Sequence, residues 1–184
     1  MLLGGEVLIV SGPPGAGKST VAAALASGGA RGVHLESDWF FRWIKAGFIP
    51  PYLPASREQN TVVMDVAADA AAGYAKAGYG VVWDGIVGPW FLPQVERRLA
   101  AHRVPVRYLV LRSGRDIALA RVQARDGTTE SSGAAVMWDL FADLGPFEAH
   151  VVRSDGPAAE VLARCEEALR TRDLRVRAAT SADG

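Results

Sequence analysis

Apolar residues along the chain fall into short continuous runs that alternate with longer stretches of helical period. Glu6-Val7-Leu8-Ile9-Val10 is mostly β-branched and apolar, the pattern of a strand buried on both faces. Val33-His34-Leu35, Val81-Val82-Trp83, Val106 to Leu111 and His150-Val151-Val152-Arg153 repeat that pattern, which predicts five strands. Between the first two, Val21 to Ala26 is rich in strong helix formers. Val62, Val66 and Ala70 recur on one helical face, with Val63, Ala67 and Tyr74 beside them, so a helix should run to about Ala77. Ser56 and Gln59 stand before it at capping-box spacing. Further helices are predicted over Pro93 to Ala101, Ile117 to Ala124, Val136 to Leu144 and Ala158 to Arg170. The proline-rich stretch 47–54 reads as a loop, and Gly78-Tyr79-Gly80 ends the long helix. Strands alternating with helices imply a five-stranded parallel sheet with helices on both faces, a three-layer α/β/α domain. No repeat or linker divides the chain, so residues 1–177 read as one domain and 178–184 as a disordered tail.

Composition narrows the partners. The chain has 184 residues, enough for one domain with a real core. Lys+Arg and Asp+Glu number 20 each, so nothing suggests an electrostatic footprint for nucleic acid. A transmembrane helix needs about 20 apolar residues, and no such run exists. The start lacks the basic residues of a signal peptide, so the protein is expected in the cytoplasm, away from the membrane. Cys165 has no partner for a disulfide and falls with Val161, Leu162, Ala168 and Leu169 on one helical face, which makes it a core residue. His34, His102 and His150 show no metal-ligand spacing.

The stretch following the first strand changes the picture most. Gly12-Pro13-Pro14-Gly15-Ala16-Gly17-Lys18-Ser19-Thr20 fits G-x-x-x-x-G-K-[ST] at every fixed position, between a predicted strand and a predicted helix. Strand, glycine loop and helix let successive N–H groups converge on phosphate oxygens. Pro13 and Pro14 lack an N–H, so the donors must come from Gly15 through Ser19. Lys18 should reach the β- and γ-phosphates of ATP, and the Ser19 hydroxyl should hold Mg²⁺.

In an open α/β sheet, ligands bind beyond the carboxyl ends of the strands. Glu36 and Asp38 follow the second strand there, and Asp84 the third. Phosphoryl transfer needs a positioned metal, a group to orient or deprotonate the acceptor, and cations over the transferring phosphate. Asp84 suits the metal shell, Asp38 suits the acceptor hydroxyl or instead caps the helix starting at Trp39, and Glu36 could support either task. Arg121 and Arg125 stand at i, i+4 before a Gly/Ser/Thr segment near 126–133 that could close as a lid. Trp39, Phe40, Phe41, Trp43, Phe48, Tyr52, Trp90 and Phe91 are read as an acceptor pocket near Asp38, suited to a neutral or partly apolar molecule.

These features together resemble the small P-loop kinases, an AAA-like group containing shikimate kinase, adenylate kinase and chloramphenicol phosphotransferase, over most of residues 6–170. Glu36-Ser37-Asp38 is similar to the D-x-D of shikimate kinases, with Glu in first place. The resemblance implies that Asp38 meets the acceptor hydroxyl and acts as the base. Val82-Trp83-Asp84-Gly85 resembles the strand and D-G of adenylate kinases, without the proline-arginine that follows there. It implies substrate contacts at Asp84 and Gly85. Arg121 to Arg125 is similar to the R-x-x-x-R entering the lid, which implies Arg121 on adenine and Arg125 on phosphates. The expectation is an ATP- and Mg²⁺-dependent phosphotransferase acting on a hydroxyl of a small metabolite, sugar-like compound or antibiotic. Phe41, Arg42 and Arg57 are the further acceptor-side candidates. A nucleotide kinase and a nucleotide-binding switch or ATPase are the alternatives.

Overall fold

The computed structural model describes residues 4–127 and 133–176. Five strands form one parallel sheet in the order β2-β3-β1-β4-β5. They are β1 (Val7–Ser11), β2 (Gly32–Glu36), β3 (Gly80–Asp84), β4 (Val106–Arg112) and β5 (Val151–Arg153). The central β1 pairs with β3 on one side and β4 on the other, and every one of its residues is buried. That explains why its sequence is a continuous apolar run rather than an alternating one.

Alternation reappears in where the side chains go. Val7, Ile9, Val81, Trp83, Tyr108 and Val110 point into one core, under α3 (Arg57–Lys76) and α4 (Leu92–Ala101). Leu8, Val10, Val82, Leu109 and Leu111 point into the other, under α1 (Lys18–Ser27) and α7 (Ala158–Thr171). Cys165 sits in this second core, and burial pushes its thiol up to about 12, which keeps it inert. Three shorter helices complete the chain: α2 (Ser37–Arg42), α5 (Arg115–Asp126) and α6 (Ala134–Leu140). The layered α/β/α architecture is the expected one.

Three local expectations change, one of them the helix predicted over Val136 to Leu144, which runs Ala134–Leu140 instead. Helix α1 begins at Lys18, three residues before its apolar face, because the phosphate loop runs directly into its first turn. The capping box at α3 does not form. Ser56 instead directs its hydroxyl to the carbonyls of Pro51 and Leu53 (2.9 and 2.7 Å). Gln59 exchanges two hydrogen bonds with the backbone of Ile49 (2.8 and 2.7 Å). Both side chains fasten the proline-rich loop to α3, and that use outcompetes the cap. The predicted tail beyond 177 lies outside the described residues.

At the end of β4, Arg112 donates to the carbonyls of Phe141 and Ala142 (both 2.9 Å) and pairs with Glu148 at 2.8 and 2.7 Å. This guanidinium, helped by the N–H of Leu144, holds the Glu148 carboxyl down at about 2. A depressed carboxylate stabilises the fold above its unfolded value near 4.5 and loses that contribution as the pH falls toward 2. Glu148→Gln should therefore lower Tm at pH 7, and the gap to wild type should close between pH 4.5 and 2. An equal gap at pH 7 and pH 2.5 in thermal melts would remove the ion pair as its cause.

Candidate active site

Backbone constraints build the phosphate loop. A Cβ on Gly12 (φ 140°) would come within 2.1 Å of the Leu111 carbonyl, and one on Gly15 (φ 77°) within 2.2 Å of the Ala118 carbonyl. Both glycines are close-approach points, to β4 and to α5. Gly17 differs: it has φ 88°, yet its missing Cβ would meet nothing within 4 Å. That open space lies at the start of α1, whose first turn has neither a side-chain cap nor an acidic residue. An uncapped helix start facing open space fits a phosphate group. The Ala16 N–H already reaches the Pro13 carbonyl at 3.3 Å, so it is a poorer donor than expected. Ser19 and Thr20, in the first turn of α1, are exposed.

Lys18 is half-buried and donates to the Pro13 carbonyl at 3.0 Å. Burial lowers its pKa, and the nearby Asp84 and Asp38 carboxylates work against that, while Arg125 adds to the lowering. The ammonium is thus electrostatically coupled to three groups from three other segments: the end of β3, the start of α2 and the end of α5. Asp84 is only 5% exposed. It accepts from His34 Nε2 at 3.4 Å, and that bond raises the His34 pKa. The hydroxyl of Ser37 donates to the Asp84 carbonyl at 3.1 Å. Strand pairing sets Glu36 opposite Asp84, both at carboxyl ends. Sequence reasoning missed His34 and Ser37, because their partner Asp84 is 50 and 47 residues away and only the placing of β2 beside β3 brings them together.

Asp38 is exposed and lies in the first turn of α2, with Glu36 rather than Asp38 at the cap position. The capping alternative for Asp38 therefore falls. Among the described residues no three His, Cys, Asp or Glu side chains gather as a metal site. A magnesium ion at Ser19 and Asp84, with Glu36 nearby, would need water and phosphate oxygens to complete its shell, as this cation usually does.

Arg121 donates to the carbonyls of Gly15 and Ser154 (3.3 and 3.2 Å), which ties the phosphate loop to the turn before α7. It also lines a cavity of about 220 Å³ with Ala16, Gly17, Thr20 and Gly156. Arg125 pairs with its neighbour Asp126 at 2.7 and 2.8 Å. Residues 128–132 of the expected lid lie outside the described residues.

On the other side of Asp38 is a cavity of about 430 Å³. Of the residues read as acceptor-side, Asp38, Phe41, Arg42, Tyr52, Trp90 and Phe91 line it. The remaining aromatics do not join them. Phe40 and Trp43 face a second cavity on the α3 side of α2, and Trp39 lies beneath the Arg42 guanidinium, 4.9 Å from its ring centre. Successive residues of a helix point in different directions, so an unbroken aromatic run cannot serve a single pocket. Arg57 lines a neighbouring hollow with Thr61 and Gln94. Gly85 is buried under Ser37, where a Cβ would come within 1.9 Å of the Ser37 hydroxyl, so it makes room for a neighbour and is not part of the cavity wall.

Sheet, loop and strand-end carboxylates together define an α/β protein of the P-loop kinase fold. The chain belongs to the AAA domain family, whose model it matches over residues 7–139. Comparison with curated proteins gives no match. Among solved structures it is similar to a sugar kinase from Janibacter sp. HTCC2649, with 19% identity, TM-score 0.71, and 90% of this chain and 94% of that chain covered. A gluconokinase from Sinorhizobium meliloti 1021 gives 17% identity and TM-score 0.68, with 91% and 93% covered. The Mycobacterium tuberculosis APS kinase in complex with AMPPNP and APS gives 17% and 0.64, with 90% and 98% covered.

Proposed function

We propose that the protein is an ATP- and Mg²⁺-dependent phosphotransferase that moves the γ-phosphate to a hydroxyl of a small molecule. The observation carrying this reading is the electrostatic coupling of Lys18 to Asp84, Asp38 and Arg125 between a phosphate-fitting loop and a separate 430 Å³ cavity. The kinase names of its structural relatives support it. In this reading Gly12, Gly15, Ala16, Gly17, Ser19 and Thr20 shape the phosphate cradle, and Arg121 flanks the nucleoside. Asp38 takes the proton from the acceptor hydroxyl as its oxygen attacks the γ-phosphorus, and ADP leaves. Lys18 and Arg125 offset the charge on the transferring group. Magnesium, when bound, supplies charge neutralisation at the β- and γ-oxygens.

ADP release should be slow with ATP alone and should rise when a hydroxyl-bearing acceptor is supplied from a compound library. Hydrolysis indifferent to every acceptor but stimulated by a protein would replace the kinase by a switch. Asp84→Asn should mainly raise the Mg²⁺ concentration needed for half-maximal turnover, because the amide keeps the side chain's shape and one oxygen acceptor but carries no charge. An unchanged magnesium titration would take Asp84 out of the metal shell.

A further inference from the structure

The wall of the acceptor cavity is more selective than the fold it sits on. Its body is apolar: Phe41, Leu53, Met64, Phe91, Met137 and Leu140 come from α2, the proline-rich loop, α3, the β3–α4 connection and α6. The few polar side chains in the wall are largely committed to the protein. The Ser37 hydroxyl donates to the Asp84 carbonyl. The Asn60 amide nitrogen donates to the Pro51 carbonyl and the Ser56 hydroxyl (2.8 and 2.9 Å), while its Oδ1 is buried, shielded from the cavity, with no hydrogen-bond partner among the described residues. Among the described residues Arg42 is the only cationic one lining the cavity, and its guanidinium is held over the Trp39 ring, which is not part of the wall. Arg57 lies in the neighbouring hollow instead. Among the described wall residues Asp38 remains as the one charged acceptor, at the loop side.

A polyhydroxylated acceptor entering this space would bury hydroxyls without partners, and a site that cannot pair such groups rejects them strongly. A phosphorylated acceptor would meet at most one cation, where bidentate or clustered arginines are the usual grip. We propose that the acceptor is an amphipathic alcohol. Its reacting hydroxyl meets Asp38, an aryl or branched-alkyl body fills the cavity, and it carries no phosphate and few other hydroxyls. This rests on the phosphotransferase reading, and it separates the chain from the sugar kinase and gluconokinase that share its fold.

Isothermal titration of the full chain with 3-phenylpropane-1,2-diol, gluconate and glucose tests the proposal. The aryl diol should bind saturably, with a Kd about tenfold or more below that of either sugar compound. Leu140→Glu and Trp90→Gln alter side chains that are 47% and 46% exposed, so the fold should tolerate both. Each should weaken the aryl diol by about tenfold, with the sugar compounds unaffected and the melting temperature kept. Tighter or equal binding of gluconate or glucose overturns the proposal. So does the absence of saturable aryl-diol binding, or variants that leave its Kd unchanged. A parallel AMPPNP titration reports on the nucleotide site alone: no AMPPNP binding would sink the phosphotransferase reading, while the diol arm still decides the character of the cavity.

Discussion

Lys18→Ala is expected to reduce phosphoryl transfer by at least about 10²–10³-fold, the range for losing one preorganised charge-stabilising donor. Among the described residues the side chain makes a single hydrogen bond, to the Pro13 carbonyl, and none of the core depends on it. Its charge, however, faces two carboxylates, Asp84 and Asp38. Without the ammonium, an incoming triphosphate would meet those carboxylates with only the loop amides and Arg125 to oppose them. Arg125 is already paired with Asp126. Nucleotide affinity should fall together with turnover, while the ligand-free melting temperature changes little. Lys18→Arg should not restore activity, because a planar guanidinium cannot enter a space shaped for a compact ammonium. Steady-state ADP release and a thermal melt of both variants provide the check, and wild-type turnover in either variant would end the phosphate-loop assignment.

Local chemistry was legible in the sequence, and long-range placement was not. Five strands, the glycine loop and the long helix follow from apolar periodicity and turn residues, and all appear close to their predicted bounds. Boundaries drifted where a functional turn merges into a helix, as at Lys18, or where side chains serve a loop, as at Ser56 and Gln59. Asp84 could be singled out as a strand-end carboxylate. Its attachments to His34 and Ser37 depend on β2 lying beside β3, an order that no local pattern contains. The aromatic segment after Asp38 read as one pocket, yet its rings divide between two cavities and a stack with Arg42. Arg42 and Arg57 looked alike in sequence, and only the path of the proline-rich loop puts them in different hollows.

Asp38→Asn is expected to lower turnover by roughly 10²–10⁴-fold while leaving nucleotide affinity intact, the loss typical of removing a general base. Asp38 lies between the phosphate loop and the 430 Å³ cavity, influencing Lys18 on one side and lining the cavity on the other. It is exposed, so the carboxylate keeps its solvation until an acceptor covers it. A structural role would be small. As the acidic residue in the first turn of α2 it favours the positive end of the helix, an effect worth about 0.3–1 kcal/mol at an exposed site. Asn removes that charge as well as the proton acceptor, so Tm should fall by no more than a few degrees. The two roles differ in what each predicts. A helix-end charge alone would cost a little stability and leave turnover nearly unchanged. A base would cost turnover by orders of magnitude, and Asp38→Glu, which keeps the carboxylate on a longer arm, should recover part of it. ADP release at saturating ATP and acceptor, compared with a melt and an AMPPNP titration, separates the two. A loss below tenfold would move the proton acceptor to another group, with Glu36, opposite Asp84 in the strand register, the next to test.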